Sequence, residues 1–246
     1  MKKILILLLL GVSMLSAAQE KVLLRLNYVE GQKYVMSMNM SQVIGDDIIT
    51  NDMQIDMQYD ITKVTGDTYE SNAKITRMAM DMRQDQLAVS YDTNKKHEEL
   101  DETGQMMKTR LEPMLSATII TKGDNLGNIL ETRVEPSDIE GAADFADQSG
   151  SVIYPKEKVA VGDTWTKTKV DNAMTFNFIY KVKAINRNNV LVDISGSISG
   201  TASGDITGTM DIDRDSGMPI LSKINMTMSV EGQKSTTDMT AKFTKI

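Results

Sequence analysis

Three sets of residues in this 246-residue sequence have types and spacing that could do chemistry: a single histidine, a run of aspartates and nineteen methionines. His97 lies in "NKKHEELDE" with no orienting partner nearby for an acid or base role, so it reads as part of a solvated turn or edge. In "DIDRDSG", Asp211, Asp213 and Asp215 stand where a calcium loop places its first three ligands. Ser216 then replaces the glycine such a loop needs, and Ser222 its bidentate glutamate, so a hairpin turn is expected there instead. With no cysteine, nucleophile elbow, P-loop or zinc spacing, the sequence offers no catalytic residue, metal ligand set or cofactor motif, and it reads as a non-enzyme. A hydrolase built on carboxylates that converge only in space is the third option.

The methionines are patterned. "YVMSMNMSQ" sets Met36, Met38 and Met40 two apart, and residues two apart share one face of a strand. Met53 and Met57, Met78, Met80 and Met82, and Met226 and Met228 repeat the spacing in a chain with only four Phe and one Trp. Three roles fit: filler of an aromatic-poor core, flexible lining of a pocket for acyl chains, or thioether ligands for copper(I). Copper sites gather their ligands into one compact cluster, whereas these methionines are spread over many segments away from His97.

The elements that must carry these side chains are strands. Val22, Leu24, Leu26 and Tyr28 alternate; so do Met53, Ile55, Met57, Tyr59 and Ile61; so do Phe176, Phe178 and Tyr180; and so do Ile224, Met226, Met228 and Val230. Turn signals such as "EGQ", "TGD", "KGDNLGN", "NRNN" and "RDSGMP" separate them. In "GSISGTASGDITG" the even positions, among them Ile198, Gly200 and Ile206, form an apolar face lacking every second side chain, with a turn near Ser203-Gly204. Those glycines let a sheet bend, let a helix approach, or leave a smooth trough. The exception to the alternation is Glu135 to Gly150, where a Ser137/Glu140 capping box and an apolar stripe predict one helix over about 137–149.

The expected fold is therefore mainly β: a large curved antiparallel sheet, or two, forming a half-barrel-like structure around one central helix. "MQIDMQYDITKVTGDTY" parallels "MTFNFIYKVKAINRNNV", and "YVEGQKY" parallels "VAVGDTW", which points to a duplicated β unit. The organisation expected is a first β-rich half over 19–134, a helical linker or lid over 135–150 and a second β-rich half over 151–246, in one integrated domain.

"MKKILILLLLGVSMLSAAQE" has the basic start, short apolar run and small-residue end of a secretory signal peptide over 1–18, cleaved after Ala18. Export to the periplasm or the medium is expected, with no transmembrane span. The formal charge of −7 and the absence of a basic cluster argue against nucleic acid as a partner.

Tyr154-Pro155 through Val159, Val161, Gly162, Asp163, Thr164 and Trp165 make a "Y-P-x-x-x-V-x-V-G-D-T-W" motif, alongside a "G-x-x-Y" start and a "K-G-x-x-L/I" hairpin. With these the chain resembles a family of uncharacterised secreted proteins of Gram-negative bacteria, a resemblance that brings no activity. In architecture it is more distantly similar to the half-barrels of periplasmic lipoprotein carriers and lipid-binding lipoproteins, which implies acyl chains held in a concavity. The reading that results is a soluble cell-envelope protein binding a lipid-like ligand. Its lining would be Met36, Met38, Met40, Met53, Met57, Met78, Met80, Ile198, Gly200, Ile206, Met226 and Met228. The alternative is a structural or protein-interaction module of the envelope with a closed core, its partner another envelope protein.

Overall fold

The computed structural model describes residues 19–45, 48–85, 87–137, 139, 152–171, 173–230 and 232–246. Their strands are β1 (Lys33–Ile44), β2 (Ile49–Thr65), β3 (Thr68–Gln84), β4 (Leu87–Asp92), β5 (Thr118–Asp124), β6 (Ile129–Glu135), β7 (Thr164–Asp171), β8 (Met174–Ile185), β9 (Asn189–Gly200), β10 (Ser203–Asp213), β11 (Pro219–Val230) and β12 (Gln233–Lys245). They form one twelve-stranded antiparallel sheet in the order β6-β5-β3-β2-β1-β12-β11-β10-β9-β8-β7, with β4 beside the far end of β3. The sheet does not close on itself. Two sequential meanders thus meet where β1 pairs with β12.

The predicted helix over about 137–149 lies outside the described residues apart from Ser137 and Ile139. The α-helix among the described residues is α1 (Glu102–Ser116), in a stretch not read as helical from the sequence. Asp101 caps it, its carboxylate accepting from Gly104 N at 2.7 Å. Met107, Leu111, Met114 and Leu115 recur at helical spacing and pack on Met36, Ile55, Met57, Ile75, Met78 and Tyr91. Gly104 lets the helix sit close, because a Cβ there would fall 2.9 Å from the Ser90 carbonyl oxygen. The isolated turn at His97–Glu99 precedes α1, and His97 is exposed.

The two meanders repeat one another in backbone detail. Gly31 N donates to Ile61 O at 2.8 Å and Ile61 N to Gln32 O at 2.9 Å; Gly162 N donates to Val182 O at 2.8 Å and Val182 N to Asp163 O at 3.0 Å. Tyr34 faces Tyr59 across β1–β2 as Trp165 faces Tyr180 across β7–β8. The β2–β3 and β8–β9 ladders both slip one residue just beyond these pairs, between Ile61 and Lys63 and between Val182 and Ala184.

The "Y-P…G-D-T-W" residues fix the lead-in to β7, and Tyr154 N donates to Leu126 O of the first meander at 2.8 Å. Val22 and Val159 form a β-bridge, the Trp165 indole N–H donates to Ile153 O at 2.8 Å, Asp163 accepts from Ala160 N at 2.8 Å, and Trp165 stacks on Tyr180 at 5.2 Å. These residues are structural. Of the aspartates of "DIDRDSG", Asp213 serves the β10–β11 turn by accepting from Ser216 N at 2.8 Å, and Asp211 ties β10 to the start of β9 by accepting from the Asn189 amide at 2.6 Å.

Candidate apolar binding face

One face of the sheet carries all the methionines singled out above. Register sets Phe243, Met36, Met57 and Ile75 in one cross-strand row, Ala241, Met38, Ile55 and Met78 in the next, and Met239, Met40, Met53, Met80 and Tyr91 in a third. Alternation along each strand therefore becomes a continuous thioether surface across four strands.

Burial divides this surface. Met36, Met57 and Met78 are buried in the cluster against which α1 packs, and Ile198 and Ile206 are buried in the second meander. Met38, Met40, Met53, Met80, Met226 and Met228 are half-buried. Met239, which the sequence reading passed over, completes the third row and is half-buried too; its spacing to Ala241 and Phe243 was the available signal. The row Met239–Met40–Met53–Met80 is thus a complete cross-strand row in which every thioether is only half-buried.

The glycines do not open a trough. Ile198 stands opposite Gly204, Ile206 opposite Gly196 and Ile194 opposite Gly208, so each isoleucine has a glycine across the ladder. A Cβ at Gly196, Gly200, Gly204 or Gly208 would strike the carbonyl oxygen of Asn177, Ala173, Thr227 or Lys223 on the adjoining segment. Their missing side chains are filled by neighbouring backbone, which is what lets the strands cross so closely. The hairpin turns at Thr201-Ala202, two residues before the predicted place.

Tyrosines close one end of the face. Tyr28 packs edge-on against Tyr34 at 5.8 Å and Tyr69 at 4.5 Å, and the Tyr154 hydroxyl donates to Gly217 O at 2.6 Å. Burial, with Tyr69 nearby, pushes the Tyr59 hydroxyl up to about 12; its O–H points at the Met57 sulfur at 3.6 Å. Burial likewise raises Tyr69, with a further push from Asp124, and Tyr180, each to about 12. At the opposite edge Lys167 faces Phe178 on the apolar side, and burial together with Lys169 holds its ammonium below the usual lysine range.

Beyond the methionine row the same face turns polar. Gln42, Asn51, Thr237 and Ser235 lie there; Ser235 and Thr237 are buried, and Gln42 donates to Thr237 Oγ1 at 3.3 Å and Ser235 Oγ at 3.5 Å. Asn51 Oδ1 is buried and accepts no hydrogen bond.

The reverse face of the first meander is polar and holds a shallow recess of about 520 Å³, walled by Asn39, Gln54, Arg77, Asp81, Asp92 and Thr240 among others. Arg77 donates to Asp92 at 2.9 Å and to Gln54 at 3.2 Å, and its hydrogen bond holds the Asp92 carboxyl below the usual carboxylate range. Among the described residues no three His, Cys, Asp or Glu side chains gather to hold a metal ion. No helix among them is long and apolar enough to cross a membrane.

The sequence model of a family of unknown function (DUF6263) matches residues 147–243, most of the second meander. No curated protein matches the chain. A solved structure described as "Lipid-protein interactions in lipovitellin" superposes on 89% of this chain with a TM-score of 0.60 at 9% identity. A second, described as "Asymmetric conductivity of engineered proteins", aligns over 87% of this chain and 99% of its own at 8% identity, but its TM-score of 0.21 carries no argument. This chain spans 25% of the lipovitellin chain, so what the two share is a fold: the large open antiparallel sheet is similar to a portion of lipovitellin.

Proposed function

We propose that the protein is exported to the cell envelope or the medium, has no catalytic role, and binds a lipid-like hydrophobic ligand against the methionine row of its apolar face. One observation carries the reading: Met239, Met40, Met53 and Met80 form a cross-strand row that is only half-buried, next to a core that α1 already covers. Unbranched thioethers repack around alkyl chains of different shape, and each buried CH₂ is worth about 0.8 kcal/mol. The lipovitellin structure, whose fold this sheet resembles, is described by that protein's interactions with lipid. Residues 1–18, with a basic start and short apolar run, support export.

Native mass spectrometry of gently purified protein tests the reading. A co-purifying lipid is expected, released when Met53 is changed to Glu; protein free of ligand that fails to take up a fluorescent fatty probe defeats it.

The second reading is an envelope interaction module with a closed core. The polar recess around Arg77 and Asp92 favours it, as do Ile198 and Ile206, 3% and 1% exposed. A partner captured from envelope fractions and lost on Arg77→Ala would select it over the carrier.

A further inference from the structure

The polar patch beyond the methionine row is out of place on an apolar face. Gln42 pairs in register with Asn51 on one side and Thr237 on the other, and the row runs on to Met82 of β3 and Met226 of β11. Along their own strands these residues are flanked by Met40 and Ile44, by Ile49 and Met53, and by Met239. No group in this set of neighbours ionises.

The patch is also unsatisfied. A buried amide oxygen without a donor costs about 1–3 kcal/mol, and Asn51 Oδ1 is in that position. Gln42 spends its amide N–H groups on two bonds, 3.3 and 3.5 Å, inside the patch, so the group left wanting a partner is the Asn51 oxygen. A group that donates to Asn51, carries no charge and is tethered to an alkyl chain on the adjoining methionine row would complete the patch. A hydroxyl meets each condition. A carboxylate does not: it offers no donor to Asn51 and finds no cation among these neighbours.

We propose that Gln42, Asn51, Ser235 and Thr237 form the headgroup site of the binding face, selecting an uncharged, hydroxyl-bearing amphiphile of the long-chain alcohol or acylglycerol class. This rests on the apolar-ligand reading above and specifies its ligand.

The test compares a long-chain alcohol, its methyl ether and the carboxylate of equal chain length, each displacing a fluorescent fatty probe from the full-length mature protein. The alcohol is expected to bind roughly tenfold more tightly than the ether, and more tightly than the carboxylate. Asn51→Leu should bring alcohol and ether together without weakening the ether; a thermal melt shows that the variant is folded. The wild-type comparison stands without it. Equal binding of alcohol and ether to the wild-type protein, or preference for the carboxylate, overturns the headgroup site while the apolar-ligand reading stands. Binding of none of the three overturns both.

Discussion

The Tyr154 hydroxyl donates to the Gly217 carbonyl across 63 residues of sequence, tying the lead-in to β7 onto the β10–β11 turn. Gly217 has φ +68°, and a Cβ there would strike the Arg25 carbonyl of the other lead-in segment. Gly217→Ala combines left-handed backbone strain with a backbone clash and should cost about 2–3 kcal/mol or more. Tyr154→Phe removes one buried donor and should cost about 1–2 kcal/mol. Urea unfolding of the two variants measures both, and an order in which Phe costs more than Ala would contradict this account of the turn.

Met57 and Met53 sit four residues apart on one strand and should behave differently. Met57 is 1% exposed, so Met57→Ala should cost about 2–5 kcal/mol of stability. Met53 is half-buried, so Met53→Glu should leave stability within about 1 kcal/mol of the parent while abolishing uptake of a fatty probe. Chemical denaturation and probe fluorescence on the same preparations separate the two effects.

Alkaline pH should unfold the protein through its tyrosines. Burial raises Tyr59, Tyr69 and Tyr180 from an ordinary value of 10.0 to about 12, so the folded state holds these protons more tightly than the unfolded one. Their contribution is complete below about pH 10 and is lost as pH climbs toward about 12. Far-ultraviolet circular dichroism and tyrosinate absorbance, followed together, should change in one step over that interval. Tyrosinate appearing near pH 10 with the fold intact would be the contrary result.

Acid acts through Asp92. The Arg77 hydrogen bond lowers its folded value, so the stability it contributes is present above the unfolded carboxyl value of about 3.9 and disappears as pH falls through the lower folded one. Asp92→Asn should therefore melt earlier than the parent at pH 7, with the gap narrowing toward pH 3. Both partners are partly exposed, and high salt should shrink the gap at pH 7 as well.

The strands were legible because their alternation is carried by large residues: Met53 to Ile61 reads as one face without any knowledge of its neighbours. Across-strand relationships were not, because register is fixed by partners distant in sequence; nothing in Met40 announces Met239 beside it. Helix α1 is hard to read in the sequence because Met107, Leu111 and Met114 sit among Lys108, Arg110 and Glu112, and Pro113, a poor helix residue, lies near its end. The glycines of β9 and β10 were recognised as special, yet their purpose depends on carbonyls of Asn177, Thr227 and Lys223, whose approach only the folded sheet defines. Nothing in the sequence sets Asn51 apart from other polar residues; its place on the apolar face follows from its pairing with Gln42.

The seam between β1 and β12 carries a kinetic consequence. Apart from β3–β5, which spans β4 and α1, every other pairing on the main path of the sheet joins consecutive strands, whereas Tyr34 must wait for Lys245. Closing that loop is the entropically expensive step of assembly, and it falls at the middle of the finished sheet. Until it closes, the thioether rows of β1 and β2 lack the β12 side of their surface, so the methionine face is the last thing this chain completes.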